Sequence, residues 1–260
     1  MYTAIIQARM DSRRLPGKVM KKIEDKPLLF YVIKQTLASK LINDVIIATS
    51  TSPKDKIIAD YCKDNKSNCY RGSHHDVLDR FYKTAKKFKC NPIIRISADS
   101  PLIDPKIIDK DLNKFLNNSF DYVSNNIEKN NHIWKDSSCN YPIGTVVEIA
   151  TFKALQLSWK KAKESFEREH VFPFIQSHPE IFKISNVKSR NNYSHIRITV
   201  DKKQDLKFVR EIYARISNNK NVITINDLNQ IVSKEPLLLK INENKDFDKG
   251  FKKTLLTKGH

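Results

Sequence analysis

Apolar runs typical of β-strands alternate with amphipathic segments of helical period over the first half of the chain. The strand-like runs cover residues 2–8, 45–49, 68–71 and 92–98. Apolar residues recur at spacings of three and four between these runs, which predicts helices over residues 27–39, 54–62, 77–88 and 105–116. A repeated order of strand and helix is typical of a parallel sheet with helices on both faces, so the pattern predicts an α/β fold.

The pattern changes after Asp121. Residues 125–139 are polar and irregular, and the chain then contains extended segments at 144–149, 182–187 and 195–200 and helical segments at 152–162, 166–177 and 204–216. We interpret residues 120–190 as a β-containing excursion from the main sheet, to which the chain returns near Ile196. The sequence therefore predicts one domain over residues 1–240, followed by a charged tail over residues 241–260.

Composition narrows the class of protein. The chain has 260 residues, of which 40% are hydrophobic, and this is enough to bury the core of one α/β domain. No apolar run approaches the roughly 20 residues that span a bilayer, and the apolar N-terminus lacks the charged flank of a signal peptide. No CxxC spacing occurs among the cysteines, which favours reduced thiols and a cytoplasmic location over a zinc site or disulfide framework; they are Cys62, Cys69, Cys90 and Cys139.

The net charge is strongly positive, at +18, which suggests nucleic-acid binding as one hypothesis. The lysines are spread along the whole chain, however, and no block of Lys and Arg exceeds three residues. Scattered basicity is typical of solvated lysine-rich surfaces, so a nucleic acid is not an expected partner.

Cationic side chains concentrate at one place, directly after the first predicted strand: Arg9, Arg13, Arg14 and Lys18. Ligands of open parallel sheets bind beyond the carboxyl ends of strands, which is where this loop is expected. A P-loop is excluded, because Ser12 replaces its first glycine and Val19 replaces its magnesium-binding hydroxyl. The loop is therefore either an exposed basic turn, kinked at Gly17, or a polyphosphate site that uses side-chain cations.

Two aspartates also follow predicted strands. Asp99 comes after the strand at 92–98, and Asp201 comes after the strand at 195–200. Carboxylates that meet at one edge of a sheet can share Mg²⁺ with substrate phosphates, which suggests metal-assisted attack on a nucleoside triphosphate. The alternative is that each aspartate caps the following helix, a role that suits Asp104 and Asp205 better because they lie near helix starts.

The segment QARMDSRRLPGK, residues 7–18, resembles the signature of the CTP-dependent sugar-acid cytidylyltransferases, which include the acylneuraminate and 3-deoxy-manno-octulosonate enzymes. Five later segments are similar to the spore coat polysaccharide biosynthesis protein F branch of that superfamily: DVLDRFY (76–82), RISADSPLIDP (95–105), YPIGTVVE (141–148), EREHVFPFI (167–175) and RITVDKKQDL (197–206). The resemblance implies a Rossmann-like nucleotidyltransferase fold, and a homodimer that is joined through the excursion.

The resemblance also implies a reaction, in which a hydroxyl of an acidic sugar attacks the α-phosphate of CTP and releases pyrophosphate, for surface polysaccharide biosynthesis. By matched position, the nucleotide-binding residues would be Ala8, Arg9, Ser12, Arg14, Lys18, Arg80 and Ser97. Arg9, Lys18 and Asp99 would be catalytic. Asp99 and Asp201 would bind Mg²⁺. The acceptor would contact Tyr141, Glu148 and Arg168.

Two positions depart from the family pattern and leave alternatives open. Val146 stands where the branch usually has Asp, which leaves a non-sugar acceptor such as a polyol phosphate or a phosphonate. Ser97 stands where the octulosonate enzymes commonly have a longer amide, which leaves another nucleoside triphosphate. The third hypothesis is a non-catalytic relative that binds a nucleotide or RNA, and the presence of both Asp99 and Asp201 disfavours it.

Overall fold

The computed structural model describes residues 2–126, 140–216 and 222–243. The strands in these ranges are β1 (Tyr2–Gln7), β2 (Lys22–Ile23), β3 (Lys26–Pro27), β4 (Ile42–Ser50), β5 (Asn68–Gly72), β6 (Ile93–Ser97), β7 (Tyr122–Ser124), β8 (Val147–Ala150) and β9 (Ile184–Asn186). The α-helices are α1 (Leu28–Leu37), α2 (Lys56–Asp64), α3 (Val77–Phe88), α4 (Pro105–Leu116), α5 (Phe152–Lys161), α6 (Ser165–His170), α7 (Pro173–Ser177), α8 (Lys203–Ala214) and α9 (Ile225–Lys234).

Within the described residues, seven strands form one sheet in the order β5-β4-β1-β6-β8-β7-β9. The strand β1 pairs in parallel with β4 and β6, and β5 continues the parallel block beside β4. The strand β8 runs antiparallel to both of its neighbours, and β9 is parallel to β7. The carboxyl ends of β1, β4 and β6 consequently meet at one edge, where a ligand site is expected in a sheet of this kind.

Successive residues of the central strands pack on opposite faces of the sheet, as the pleat requires. Ile6 belongs to the apolar cluster that includes α1, α4, α8 and α9, whereas Ile5 belongs to the cluster that includes α3, α5 and α7. Both side chains are fully buried. The mostly parallel sheet with helices on both faces is therefore confirmed, and polar groups of the central strands are reachable mainly at the strand ends.

The elements predicted in the first half are confirmed with small shifts at their ends, and α3 and α4 have the predicted bounds. The predicted cap of α4 is also confirmed, because the carboxylate of Asp104 accepts a 2.8 Å hydrogen bond from the amide of Lys106. These elements were predictable because each combines a strong apolar period with a clear boundary residue.

Two predictions for the second half need correction. The described part of the predicted excursion extends the main sheet instead of leaving it, since β7, β8 and β9 are strands of that sheet. The predicted strand at 195–200 is wrong, because this segment forms only an isolated bridge between Ile143 and Arg197. Its amides donate to carbonyls of loop residues instead. The amide of Ile198 donates to the carbonyl of Ile143, and the amide of Val200 donates to the carbonyl of Asp99.

The predicted helix at 166–177 is two helices, α6 and α7. Val171 lies between them with a φ of 77° and a ψ of −57°, which is not a helical conformation. Pro173 begins α7, and its ring disfavours a helical conformation in the residue before it. An apolar period alone did not reveal this break.

Several predictions lie outside the described residues: residues 127–139 of the polar segment, and most of the tail after residue 240. The role of the predicted excursion in a dimer stays a prediction. None of the helices in the described ranges combines the length and the hydrophobicity that crossing a bilayer requires.

Candidate active site

The loop after β1 is held by contacts along its whole length. Leu15 and Val19 are buried in the core. The amide of Met10 donates to the buried carboxylate of Asp55 at 2.7 Å, and the amide of Gly17 donates to the carbonyl of Met10 at 2.9 Å. Gly17 has a φ of 68°, a left-handed conformation that glycine adopts without strain. The cationic loop is thus folded in advance at the carboxyl end of β1.

Lys18 contacts both of the predicted metal ligands. Its ammonium nitrogen lies 2.7 Å from Asp99 Oδ2 and 3.0 Å from Asp201 Oδ1. The side chains of Lys18, Asp99 and Asp201 are 12%, 22% and 17% exposed, so they are shielded but still open to a ligand. The structure thus brings together residues that lie 81 and 183 positions apart in the chain.

Two arginines flank the same cluster. Arg14 Nη2 lies 2.9 Å from Asp201 Oδ1, and Arg197 Nη2 lies 2.8 Å from Asp201 Oδ2. Arg197 Nε also lies 3.0 Å from Asp205, whose carboxylate accepts the amides at the start of α8. Arg197 and Asp205 are buried, whereas the Arg14 side chain is 55% exposed. Arg14 therefore has the freedom to leave Asp201 for a ligand, while Arg197 is held in place.

A close approach of two backbone segments places the carboxylates side by side. The amide of Val200 donates to the carbonyl of Asp99 at 2.8 Å. Gly144 packs against this segment with a φ of +98°, and a Cβ atom there would lie 2.5 Å from the Cβ of Thr199. Only glycine fits this position without displacing the neighbouring chain. Gly144 therefore permits the approach that puts Asp201 beside Asp99.

Burial and charge act in opposite directions on the ionisation of this cluster. Burial alone would raise the pKa of Asp99, but the charge and hydrogen bond of Lys18 outweigh it and lower that pKa. Burial alone would lower the pKa of Lys18, but the attraction of the two aspartates raises it. Lys18 and Asp99 are therefore both charged at neutral pH.

The two aspartates fit a Mg²⁺ ion that is shared with a substrate. Among residues 2–126, 140–216 and 222–243, no group of three or more His, Cys, Asp or Glu side chains is placed to hold a metal ion alone. The oxygens of Asp99 and Asp201 do converge on one cationic nitrogen, that of Lys18. Mg²⁺ is commonly held by one or two carboxylates together with waters and substrate phosphates. The donor set matches that kind of site.

Arg80 is fully buried close to Arg9. Its Nη1 donates to the carbonyl of Ser73 at 2.7 Å. Its Nε and Nη2 have no hydrogen-bond partner within the described part of the chain. Burial, reinforced by the charge of Arg9, lowers the pKa of Arg80 to about 10. Unpaired buried donors are costly, so a ligand oxygen that reached them would be bound favourably.

The other predicted nucleotide-binding residues lie at the ends of β1 and β6. Ser97 is the last residue of β6, and its side chain helps to lower the pKa of Asp99. Ala8 is buried directly after β1. Ser12 Oγ accepts a 3.3 Å hydrogen bond from the amide of Leu15, so it supports the turn of the cationic loop.

Two of the residues that were predicted to contact the acceptor substrate have hydrogen-bond or ion-pair partners within the protein. Glu148 accepts a 2.8 Å hydrogen bond from the hydroxyl of Tyr122 and forms an ion pair with Arg95. The hydroxyl of Tyr141 accepts a 2.9 Å hydrogen bond from Lys110 on α4. An acceptor role for Glu148 and Tyr141 stays a prediction.

The third predicted acceptor residue, Arg168, joins α6 to α3 and α5. Its guanidinium pairs with the carboxylate of Asp76 and donates to the carbonyl of Trp159 at 2.7 Å. Asp76 is the N-cap of α3 and accepts a 2.8 Å hydrogen bond from the amide of Asp79. This geometry indicates a structural tie, which we name the Arg168 tie, and lends no support to an acceptor contact.

Arg95 and His170 were not assigned a function from the sequence, yet they lie at this edge of the sheet. Arg95 donates to Gln7 Oε1 at 3.1 Å and pairs with Glu148 across β1, β6 and β8. Partial desolvation by the surrounding protein, and then the charge of Arg95, lower the pKa of His170, although the residue is exposed to solvent. A charged residue inside an otherwise apolar strand was the signal that could have identified Arg95.

His170 immediately precedes a strained turn. The amide of Phe172 donates to the carbonyl of His170 at 3.0 Å, and Val171 between them has a positive φ. This conformation is rare for a β-branched residue, and backbone strain of this kind concentrates at functional sites. The neighbouring Glu169 lies 3.6 Å from Arg9, so the end of α6 faces the cationic loop.

Comparison with solved structures identifies the fold as that of nucleotidyltransferases. The structure of a cytidylyltransferase from Leptospira borgpetersenii serovar Hardjo-bovis matches with a TM-score of 0.84 at 26% identity, and covers 94% of this chain and 98% of that chain. The CMP:2-keto-3-deoxy-manno-octonic acid synthetase complexed with CTP shares the fold, with a TM-score of 0.63 at 16% identity over 83% of this chain and 99% of that chain.

The chain belongs to the cytidylyltransferase family, whose sequence pattern matches residues 3–243. It is 36% identical to an uncharacterized protein of Methanocaldococcus jannaschii over 92% of this chain and 93% of that protein. The spore coat polysaccharide biosynthesis protein SpsF of Bacillus subtilis is 28% identical over 89% of this chain and 94% of that protein. The 3-deoxy-manno-octulosonate cytidylyltransferase of Geotalea daltonii is 34% identical over 42% of each chain. The resemblance stated from the motifs is confirmed, and the protein is a nucleotidyltransferase.

Proposed function

We propose that the protein is a magnesium-dependent enzyme that transfers CMP from CTP to an acidic sugar, with release of pyrophosphate, for surface polysaccharide biosynthesis. The observation that carries the proposal is the position of the Lys18 ammonium between Asp99 and Asp201, beside the cationic loop. The names of two relatives, SpsF and the octulosonate cytidylyltransferase, support this class of nucleotide and acceptor.

The cations of the cluster are expected to exchange partners when CTP binds. In the free protein, Lys18 and Arg14 both pair with Asp201. A triphosphate carries more negative charge than the carboxylates and accepts more hydrogen bonds, so both side chains, together with Arg9, are expected to turn to its oxygens. The carboxylates of Asp99 and Asp201 would then be available to hold Mg²⁺.

The reaction forms one phosphorus–oxygen bond and breaks another. The acceptor hydroxyl attacks the α-phosphorus of CTP, its proton is lost to solvent, and the bond to the pyrophosphate oxygen breaks. Bound Mg²⁺ would supply stabilisation of negative charge on the phosphates. Arg9 and Lys18 donate to the same charge as it develops, and the buried Leu15 and Val19 keep their loop in place before the substrate arrives.

On the acceptor side, we infer contacts from Arg95 and His170 in place of Arg168. An acidic sugar presents a carboxylate and hydroxyl groups. The side chain of Arg95, which is 16% exposed, can donate to the carboxylate, and a neutral imidazole can bond to a hydroxyl. Glu148 would then act as a positioning residue, because it holds the guanidinium of Arg95.

A second candidate function is transfer from another nucleoside triphosphate, or transfer to a polyol phosphate or a phosphonate. The observation that favours it is at Ser97, the short last residue of β6, whose side chain stabilises the ionised form of Asp99. A short side chain that acts on Asp99 in this way is less able to read the edge of a base, so discrimination between cytosine and uracil would depend on other contacts.

The experiment that tests the proposal incubates the protein with MgCl₂, one nucleoside triphosphate and one acceptor from a panel. The panel contains acidic sugars, a polyol phosphate and a phosphonate, and CTP is compared with UTP, ATP and GTP. A new CMP–sugar conjugate, detected by its mass together with pyrophosphate, supports the proposal. Equal turnover of UTP would overturn CTP specificity, and binding of CTP with no conjugate on any acceptor would overturn the proposed reaction.

We also propose a homodimer and a cytoplasmic location, as the sequence resemblance implies. Light scattering of the purified chain measures its mass in solution directly. A monomer at concentrations that support turnover would contradict the first proposal, and secretion of the full-length chain from its host would contradict the second.

A further inference from the structure

A chain of polar contacts outside the Lys18 cluster connects the end of β4 to the cationic loop. Asp55 lies at its buried end and is 1% exposed. Its Oδ1 accepts the amide of Met10 at 2.7 Å, and its Oδ2 accepts both the amide of Ser50 at 3.3 Å and the hydroxyl of Ser50. Ser50 is the last residue of β4. The carboxylate of Asp55 therefore holds this hydroxyl and one backbone amide of the cationic loop together.

His74 extends this chain of contacts to another part of the loop. Its Nδ1 lies 3.1 Å from Ser50 Oγ, and its Nε2 lies 3.4 Å from Asp11 Oδ2, within ion-pair distance. The carbonyl of the preceding residue, Ser73, accepts a 2.7 Å hydrogen bond from the buried Arg80. His74 thus joins the segment before α3, which holds Arg80, to the loop after β1. Both segments contact or contain residues that are predicted to bind the nucleotide.

The protons available in this chain of contacts decide which form of His74 fits it. The hydroxyl of Ser50 has one proton, which it donates to Asp55, and its oxygen already accepts the amide of Ser52 at 3.1 Å. The other contact of that oxygen is Nδ1 of His74, so Nδ1 must carry a proton and donate it. A neutral imidazole has only one such proton, which leaves Nε2 unprotonated toward the carboxylate of Asp11. Only the protonated ring satisfies both neighbours.

We propose that His74 is a positioning residue for the nucleotide site, whose protonated ring ties Asp11 of the cationic loop to Ser50 at the end of β4; we name this contact the His74 clip. The inference rests on the proposed function, because CTP is the ligand whose binding the clip would affect. A loop that is already held in its binding conformation loses less freedom when the ligand arrives, so the clip strengthens binding. The clip is lost when the ring loses its proton, so its contribution falls as pH rises.

The pH dependence of the clip comes from an imidazole and not from Asp11. The hydrogen bond of Lys54 lowers the pKa of Asp11 against the opposing effect of desolvation, and the charges of Lys54, His74 and Arg9 lower it further. Asp11 is therefore ionised over the whole range in which a histidine changes its charge, about pH 5 to 8. The other charged or titratable groups that face His74 or its partners are Asp55, Arg71, His75 and Arg80.

The first experiment measures the proton positions directly and needs no nucleotide. Long-range ¹H–¹⁵N correlation spectra of the full chain, labelled at its seven histidines, are recorded from about pH 5 to about pH 8, and the spectrum of His74→Ala assigns the signal. We expect Nε2 of His74 to lose its proton as pH rises while Nδ1 keeps its own. Loss of the proton from Nδ1 instead would overturn the clip, whichever nucleotide the protein uses.

The second experiment measures the Kd for CTP with MgCl₂, by isothermal titration calorimetry, in His74→Ala and in the unchanged protein. The ratio of the two constants removes the titration of CTP itself. We expect a ratio of about ten at about pH 5, from the loss of one charged hydrogen-bond donor, and a ratio near one at about pH 8. The same ratio at both pH values would overturn the positioning role, because a purely structural histidine gives that result. No binding of CTP by the unchanged protein would overturn the proposed function and the positioning role together.

Two further variants separate His74 from its neighbours. Asp11→Asn offers an amide that donates to the unprotonated Nε2 and an oxygen that accepts from the protonated one, so His74→Ala in this background should raise the Kd equally at both pH values. His75→Ala changes the adjacent exposed histidine, whose ring centroid lies 4.8 Å from that of His74, and is the matched control. It should leave the Kd unchanged, and a pH-dependent ratio in His75→Ala would overturn the assignment to His74. The side chains of His74 and Asp11 are 28% and 36% exposed, so these variants should fold, which circular dichroism checks.

Discussion

The Lys18 cluster and the Arg168 tie are both formed by charged residues from distant parts of the chain, but they differ in what holds them. Lys18 donates to two side-chain carboxylates, those of Asp99 and Asp201, which are partly open to solvent. Arg168 uses the helix-capping carboxylate of Asp76 and a backbone carbonyl. The first set of bonds can be replaced by phosphates and a metal ion, whereas the second can only be lost.

This difference indicates how to recognise the ion pairs at a sheet edge that are catalytic candidates. A pair between side chains that stay partly open to solvent contributes less to stability, because solvent competes with it. A guanidinium that satisfies backbone carbonyls contributes more, because its loss leaves those groups unpaired. The catalytic group should therefore affect rate with little effect on stability, and the structural group should do the reverse.

Asp99→Asn is the substitution with the largest expected effect on rate. It removes one of two carboxylates that are proposed to hold Mg²⁺, so turnover should fall by a factor of about 10³ or more. Pyrophosphate release at saturating CTP measures the rate. Asp60→Asn, which changes an exposed aspartate paired with Lys56, is the matched control and should retain full activity. Unchanged turnover in Asp99→Asn would remove that residue from the site.

Lys18→Ala should lower kcat by a factor of about 10² to 10³, because one preplaced donor to the transition-state charge is lost. The free protein should at the same time bind Mn²⁺ more tightly, since Asp99 and Asp201 lose their internal cation. Electron paramagnetic resonance of Mn²⁺ without nucleotide measures this second effect. Lys56→Ala, at an exposed position, is the control for charge alone. Weaker Mn²⁺ binding in Lys18→Ala would contradict the exchange of partners.

Arg168→Ala should lower the free energy of unfolding by about 2 kcal/mol, because Asp76 and the carbonyl of Trp159 lose a charged donor. The KM for CTP should stay unchanged. Urea denaturation and steady-state kinetics measure the two quantities on the same preparation. Arg215→Ala is the control: it breaks the exposed ion pairs with Glu211 and Glu235 and should lower the free energy of unfolding by less than Arg168→Ala does. If Arg168→Ala kept its free energy of unfolding but had a raised KM for the acceptor, Arg168 would be an acceptor-binding residue and not a structural one.

His170→Asn is expected to raise the KM for the acceptor about tenfold, which corresponds to the loss of one hydrogen bond to a hydroxyl. The KM for CTP should not change, because the nucleotide contacts lie on the loop after β1. Full kinetics with the best acceptor from the panel measure both constants. If the KM for CTP rose instead, His170 would belong to the nucleotide side and the proposed acceptor contacts would be wrong.

The sequence predicted the nucleotide side of the site better than the acceptor side, and the reason is physical. Residues 9–18, Asp99 and Asp201 each follow a strand or an extended segment, so the rule that ligands bind at strand ends could place them together. That Lys18 would lie between the two aspartates was not predictable, because it depends on the close approach at Gly144. The segment before Asp201 was expected to be a strand; it is not one, but the bond from the amide of Val200 to the carbonyl of Asp99 still places Asp201 beside Asp99.

The acceptor side could not be predicted because its side chains are bonded to partners that are distant in the chain. Nothing near Arg168 in the sequence indicates Asp76, which lies 92 positions away. Glu148 likewise reaches Arg95 and Tyr122 only because β7 and β8 join the main sheet. Periodicity identifies which residues form a strand, but it does not identify the neighbouring strand, and therefore not the side chains across it.

A third kind of carboxylate is that of Asp111 on α4, which has neither an exchangeable nor a fixed hydrogen-bond partner among the residues that the structure describes. It is fully buried, and neither of its oxygens has a hydrogen-bond partner within the described ranges. Burial raises the pKa of Asp111 well above its ordinary value of 3.8. The folded state therefore binds this proton more tightly than the unfolded state, and stability falls as pH rises above that value.

Asp111→Leu should for this reason raise the free energy of unfolding at neutral pH, by about 1 kcal/mol, because it removes a buried polar group that lacks a partner. The gain should shrink as the pH falls toward and below 3.8, because below that value the carboxyl is protonated in the unfolded state as well as in the folded state. Urea denaturation at a series of pH values measures it. Asp109→Leu on the same helix is the matched control and should destabilise the protein, because Asp109 accepts a 2.6 Å hydrogen bond from Ser39. A loss of stability in both variants would show that Asp111 has a partner in the folded protein, and the distinction between paired and unpaired carboxylates would then fail at this position.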